Sequence, residues 1–410
     1  MKAIPSVVAQ HAEEVAFLSL LRERVAGSSL LRLAALAEFD ARIDAHLDGL
    51  RACGDDGWRA AERGLAAAEP GELFAAAVLA FESGVPARLE PVLAAAAEVE
   101  HADLALERAL AWIEPIRAAA VLPPLLDAAE PAARSCALAF AASERRLSAA
   151  RLADELRAGP PQLRAGALRA AARLGGSELG ELAEQYLRDP DPEVREQAAW
   201  TATLLRRAAG APSLWAIGRS ESPRADRALD LALRSLEPRA AAELLDELMR
   251  EPTQVRRALL GCASLGDPER LPWVVERMGD PVVGRAAGAA FAAITGLDLA
   301  REKLALPADA APRADGDEPP PDDADLPAPD PEQSQAWLAR NARALRRSPA
   351  LLAGRAKTAA DLRQTLRDGR QTERAAASLE LALGAPDTPL FDVAAPSFRQ
   401  VERLGVAPWA

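Results

Sequence analysis

The apolar positions in the middle of the chain recur with a helical step. After Pro161 come Leu163, Ala167, Ala170 and Leu174; after Pro192 come Val194, Ala198, Thr201 and Leu205. Both sets follow i, i+4, i+7, i+11, one stripe along one helix face. The proline before each stripe stands in the first helical turn, where the missing N–H leaves no hydrogen bond unmade. Pro131, Pro161, Pro192, Pro223, Pro252 and Pro281 are spaced by 30, 31, 31, 29 and 29 residues, and helices opening near Pro70 and His101 extend the register backwards. Before each proline the pattern predicts a second, shorter helix, as at 178–188 and 271–278, with glycines or Asp-Pro pairs in the turns. The unit is a helix–turn–helix of about 30 residues. One such hairpin cannot bury its own stripe, whereas stacked neighbours share a continuous seam.

The ends depart from this register. Residues 10–58 predict a longer hairpin, with Val15, Leu18, Leu21 and Val25 on one helix and Leu33, Leu36, Ile43, Leu47 and Leu50 on the next, running into Gly54 and Trp58. The expected organisation is a helical cap (1–60), the repeat array (61–306), an acidic proline-rich linker (307–331) and C-terminal helical hairpins with a tail (332–410). The linker carries eight acids, eight prolines and one base, a composition that cannot bury enough apolar surface to order itself, so it is expected to be disordered or extended. Its Asp322, Asp323 and Asp325 lack the spacing and flanking helices of a calcium loop. Beyond it, Trp337, Leu338 and Leu345, then Leu362 and Leu366, continue a helical pattern from Gln335. A further helix is expected at about 372–383, before an irregular tail with Phe391, Phe398 and Trp409.

Composition sharpens the fold class. Of 410 residues, 50% are apolar yet only 4% aromatic, and alanine, leucine, arginine and glutamate dominate. These residues favour helix, while sheets draw on β-branched and aromatic side chains. The expected fold is all-α: an α-solenoid of helical hairpins with an N-terminal helical cap. The net charge of -12 disfavours nucleic acid, which requires clustered cations. The longest strongly apolar stretch, Leu73 to Phe81, is far shorter than the ~20 residues of a membrane span. No signal-peptide pattern opens the chain, and a cytoplasmic location is expected.

Candidate chemistry is sparse. Cys53, Cys136 and Cys262 share no motif and read as buried helical residues. The three histidines, His11, His46 and His101, have no accompanying ligand cluster in sequence, although His11 and His46 meet if the first two helices pair. GGSELG (175–180) is a helix-to-helix turn rather than a nucleophile elbow. AGRAKT (353–358) lacks the spacing and the preceding strand of a phosphate loop. No catalytic residue, metal set or cofactor is expected. One feature does repeat: Arg134, Arg164, Arg195, Arg227, Arg256 and Arg285 each fall near the start of a second helix. They form either a basic stripe that binds an acidic partner or a ladder bonding the turns and acids of adjacent repeats. Trp200, Trp215 and Trp273 are either groove anchors or core. The residues assigned to partner binding are Arg134, Arg164, Arg195, Trp200, Arg227, Arg256 and Arg285.

RDPDPEVREQAAWTATLLR (188–206), with its Asp-Pro-x-Val-Arg-x-x-Ala-Ala run, resembles the second helix of HEAT repeats in their short bacterial lyase-like form. GDPVVGRAAGAAFAAITG (279–296) resembles it too, and GPPQLRAGALRAAARLG (159–175) resembles it less strongly. The ends are similar to a family of uncharacterised proteobacterial HEAT-repeat proteins often encoded beside type VI secretion genes. The similarity lies in HAEEVAFLSLLRERV (11–25), LAEFDARIDAHLDGLRACGDDGW (36–58), DADLPAPDPEQSQAWL (323–338) and AAASLELALGAPDTPLFDVAAPSFRQ (375–400). Leu338 departs from it, standing after Trp337 where the family pattern has a second aromatic. The resemblance implies a non-enzymatic scaffold for another protein, such as a secretion component, an effector or an immunity protein, and supplies no catalytic residues. A bilin-lyase-like or DNA-glycosylase-like enzyme and a homo-oligomeric spacer are the competing readings.

Overall fold

The repeat register carried by the prolines is the register of the helices. In the computed structural model, which describes residues 4–307, 310, 323–385 and 389–405, long helices open at Pro70, Ala102, Pro131, Pro161 and Pro192, and again at Ala225, Val255 and Gly284. The last three start slightly late because Pro223, Pro252 and Pro281 first form a turn or a 3₁₀ turn. The chain is all-α, its hairpins stacked in the manner of an α-solenoid. Among the described residues the exceptions are a two-stranded hairpin and isolated bridge positions, such as Ala305 opposite Pro329. The chain divides into two units, residues 1–205 with 392–410, and residues 206–391.

The first unit begins with α1 (Pro5–Ala26), α2 (Leu33–Ala52) and α3 (Asp55–Gly64). It continues through α4 (Pro70–Ser83), α5 (Pro86–Ala96), α6 (Ala102–Trp112), α7 (Pro115–Leu126), α8 (Pro131–Ser143), α9 (Ala149–Ala158), α10 (Pro161–Leu174), α11 (Ser177–Gln185) and α12 (Pro192–Leu204). Helices α4, α6, α8, α10 and α12 pack side by side as an inner layer, with α3, α5, α7, α9 and α11 behind them. The pair α1–α2 closes the stack against α4. The predicted stripe residues Leu163, Ala167, Ala170, Val194, Ala198 and Thr201 are all fully buried. Small side chains bring the layers close: a Cβ on Gly166 of α10 would lie 1.9 Å from Ser135 Oγ of α8. Two buried positions in the cap are charged. Arg22 and Asp40 are each only 3% exposed.

The second unit contains α13 (Gly210–Gly218), α14 (Ala225–Ser235), α15 (Pro238–Arg250), α16 (Val255–Leu265), α17 (Leu271–Glu276), α18 (Gly284–Thr295) and α19 (Pro331–Leu345). The strands β1 (Leu351–Leu352) and β2 (Arg355–Ala356) follow, then α20 (Ala359–Asp368) and α21 (Gln371–Gly384). Helices α14, α16 and α18 form the inner layer and α13, α15 and α17 the outer one, with α19 against α17. The chain then returns to the first unit as α22 (Ser397–Leu404), so part of the expected irregular tail is helical. Trp409 lies outside the described residues.

Two further segments differ from expectation in this unit. Of the linker, 308–309 and 311–322, with Asp322, lie outside the described residues, whereas 323–330 is packed down. Leu306 N donates to Ala328 O at 2.8 Å, Asp330 N donates to Leu304 O at 2.7 Å, and Asp323 is buried against Arg256. The array supplies the hydrogen bonds that this segment cannot make by itself. The second difference is the β1–β2 hairpin, which interrupts the expected helical run and turns through Ala353 and Gly354, both at positive φ. Its backbone meets the C-terminal ends of two inner helices: Leu351 N donates to Gly266 O (2.8 Å), Ala353 N to Ala293 O (2.7 Å) and Gly354 N to Ile294 O (2.9 Å). Gly266 has φ +70, and a Cβ there would lie 1.9 Å from Leu351 O, so glycine is required both for conformation and for room.

Beneath the hairpin, Lys357 Nζ donates to Ser264 O (2.7 Å) and pairs with Glu380 (2.6 Å), while Arg234 bonds Glu380 (2.8 Å) and Asp230 (2.8 Å). Burial pulls the Lys357 amine below its usual range, assisted by Arg234 and opposed by Glu380. Burial works to raise Asp230, but Arg234, Ser264 and Lys357 outweigh it and hold the carboxyl below its usual value.

Candidate functional site

Five of the six repeated arginines have partners within their own unit. Arg164 donates to Gly159 O (3.0 Å) and to Asp189 of the next repeat (3.1 Å). Arg195 donates to the carbonyls of Asp189 (2.7 Å) and Pro190 (2.8 Å), closing its own inter-helix turn. Arg134 lies 3.5 Å from Glu155 on α9. In the second unit, Arg256 chelates Asp323 and Arg285 donates to Leu326 O, so these two rungs grip the linker's end. Arg227 and Trp200 also have interactions, and Trp200 is buried. Trp215 and Trp273 are half-buried beneath Arg219 and Arg277.

A cleft does form elsewhere, in the first unit, where α2 ends, α3 begins and the α4–α5 and α6–α7 turns lie side by side. Its volume is about 800 Å³. Trp58, Leu79 and Trp112 floor it, and Phe398 of α22 forms one wall. Trp112 is held edge-on between Phe74 (5.4 Å between ring centres) and Phe398 (5.7 Å). Polar side chains make the rim. Arg51 is bidentate to Glu82 (3.0 and 2.7 Å) and also meets Asp44 and Asp48. Burial alone would lower the Arg51 pKa, but these carboxylates more than restore it, so the guanidinium stays charged. Arg88 lies over the Trp58 ring and bonds Asp55 at 2.6 Å, a cation–π arrangement. Arg117 is exposed and donates to Glu82 O at 2.5 Å.

This lining suits recognition: an aromatic floor for an apolar side chain, with charged groups to orient what enters. Ser83 is occupied in capping α4, donating to Ala80 O and accepting from Val85 N. The histidines that meet, His11 and His46, lie between α1 and α2 with their Nδ1 atoms 3.0 Å apart, a distance that one N–H···N bond explains. Among the described residues no three metal-ligating side chains cluster, and no helix is long and apolar enough to cross a membrane. Cys136 and Cys262 are buried thiols, and burial pushes Cys262 up to about 12.

Single residues in the sequence hinted at this cleft without locating it. Trp58 follows the cap's apolar pattern after Gly-Asp-Asp-Gly and Trp112 follows Ala109-Leu110-Ala111, but their convergence depends on the packing of α3 against α4 and of α4 against α6. Compared with protein-family models and with curated proteins, the chain matches none.

Proposed function

We propose that the chain is a non-enzymatic scaffold that binds another protein through the first-unit cleft. The observation that carries this reading is the tryptophan-floored cleft, with Phe398 partly exposed in its wall and Val85 and Ile116, exposed by 45% and 74%, in the segments that form its rim. An apolar side chain of the partner would enter the floor, and an acidic neighbour would meet Arg117. The HEAT-like pattern, and the resemblance of the ends to a family encoded beside type VI secretion genes, support a cytoplasmic partner from such a system: a secretion component, an effector or an immunity protein. The test is affinity capture from native lysate. Wild-type protein should recover a stoichiometric partner, and I116D/R117E, which alters only exposed residues, should lose it. Recovery unchanged by the double substitution, or repeated absence of any stoichiometric partner, would overturn the reading.

A further inference from the structure

The buried pair Arg22–Asp40 has no counterpart in the apolar pattern of the cap. Its Nε–Oδ1 distance is 2.5 Å, and its remaining hydrogen-bonding capacity is directed at a backbone. Arg22 Nη1 and Nη2 donate to the carbonyls of Ala394 (2.8 Å) and Ala395 (2.9 Å), while Asp40 Oδ2 accepts from Ser397 N. Gln400 donates to the carbonyls of Val393 (2.8 Å) and Ala395 (2.6 Å) and so holds this turn in the shape being read. Next to it, Phe398 stacks edge-on against Trp112, and Arg399 donates to Ala111 O (3.2 Å) and Ile113 O at the end of α6. Two successive carbonyls, one amide, one aromatic ring and one cation are each met by a dedicated group. That is how peptide-binding sites read a segment.

We propose that Arg22, Asp40 and Trp112 form a peptide-binding site for an Ala-Ala-Pro-Ser-Phe-Arg-type segment, occupied by the chain's own residues 393–404, which leave and rejoin it while the rest of the protein stays folded. Three observations favour exchange over permanent packing. The segment contributes few apolar side chains to the core: Ala395 and the small ring of Pro396 are buried, Val401 and Leu404 are partly buried, and Phe398 is 41% exposed. A helix of eight residues has little stability of its own. The contacts are chiefly polar, and each competes with water. The site is also electrostatically matched to the segment's start. Burial and the neighbouring Arg22 lower Arg108 to about 10, and Asp392 acts in the opposite direction on Arg108. Because Phe398 also lines the cleft, departure of the segment removes one of the cleft's walls.

The experiment uses the full chain and a fluorescein-labelled synthetic peptide of residues 389–405. Ser397→Pro removes the N–H that Asp40 accepts, at a first helical position where proline is otherwise tolerated. The peptide should bind folded S397P at least tenfold more tightly than wild type, whose tethered segment competes at high local concentration. The same peptide carrying Arg399→Ala should bind S397P more weakly. Equal binding to both proteins, or no binding to S397P that retains its helical circular dichroism and melting transition, would overturn the proposal. Hydrogen exchange on the unmodified protein decides independently of how the variant folds. Amides of residues 398–404 should exchange at least a hundredfold faster than those of α6 and α8, and equal protection would sink the idea. Neither readout needs the scaffold's partner, so this proposal and the one for the cleft stand or fall separately.

Discussion

Both units use a late segment of the chain to cover the C-terminal ends of their inner helices, and they do so with different chemistry. In the second unit, main chain meets main chain. The β1–β2 hairpin bonds directly to the ends of α16 and α18, Gly266 leaves no room for any other residue, and Lys357 with Arg234 places cations at the end of α16 beside buried acids. In the first unit, side chains meet main chain. Arg22 and Asp40 read the turn before α22, and Arg399 caps the end of α6. Cations at helix C-termini are favourable in both cases. Backbone pairing sealed by a buried ion cluster is inseparable from the fold around it, whereas a segment held by side-chain hydrogen bonds can be replaced by another of like chemistry. The comparison separates a cover that belongs to the core from one that behaves as a ligand.

The largest expected effect breaks the second cover. Gly266→Ala forces a Cβ into Leu351 O at a positive φ and should cost about 3 kcal/mol of unfolding free energy in urea. The two buried thiols report on the units separately, since each reacts only when its surroundings open. Labelling of Cys262 should accelerate in Gly266→Ala while that of Cys136 does not; equal acceleration would mean that the two covers share one cooperative unit. A smaller effect comes from Asp230→Asn, about 2 kcal/mol at neutral pH from weakened hydrogen bonds to charged partners. Asp230 is held below its usual 3.8 in the folded state. Its stabilisation is therefore complete above that value and is lost as pH falls through the folded pKa. Urea midpoints measured between about pH 2 and pH 5 should show this acid limb flattened in the asparagine variant. Smallest of all, Arg399→Ala should change global stability by less than about 1 kcal/mol while raising hydrogen exchange at residues 398–404. A loss as large as that of Gly266→Ala would place both covers in the same class.

Particular residues show how far the sequence carried. The stripe Leu163, Ala167, Ala170 and the prolines that open α4, α8, α10 and α12 are local signals, and the helices form at or just after such signals. Val15, Leu18, Ile43 and Leu47 were likewise legible as the buried face of the cap. Arg22 and Asp40, on the same two helices, were not, because a charged residue inside a helix normally reads as its solvated face. The β1–β2 hairpin escaped for another reason. Two strands of two residues are too short to show alternation, and only the carbonyls of α16 and α18 make them worth forming. The cleft combined both difficulties, since its tryptophans sit on helices whose contact no spacing encodes.

The sequence by itself determined the helical hairpins, their register of about thirty residues and the stripes they bury, because a helix is built from contacts three and four residues apart. Tertiary structure alone decided which distant groups would meet. Ser397 reaches Asp40 across 357 positions, and Ala395 reaches Arg22 across 373. Such pairs arise only once stacked helices have brought their ends together, and no local pattern records them.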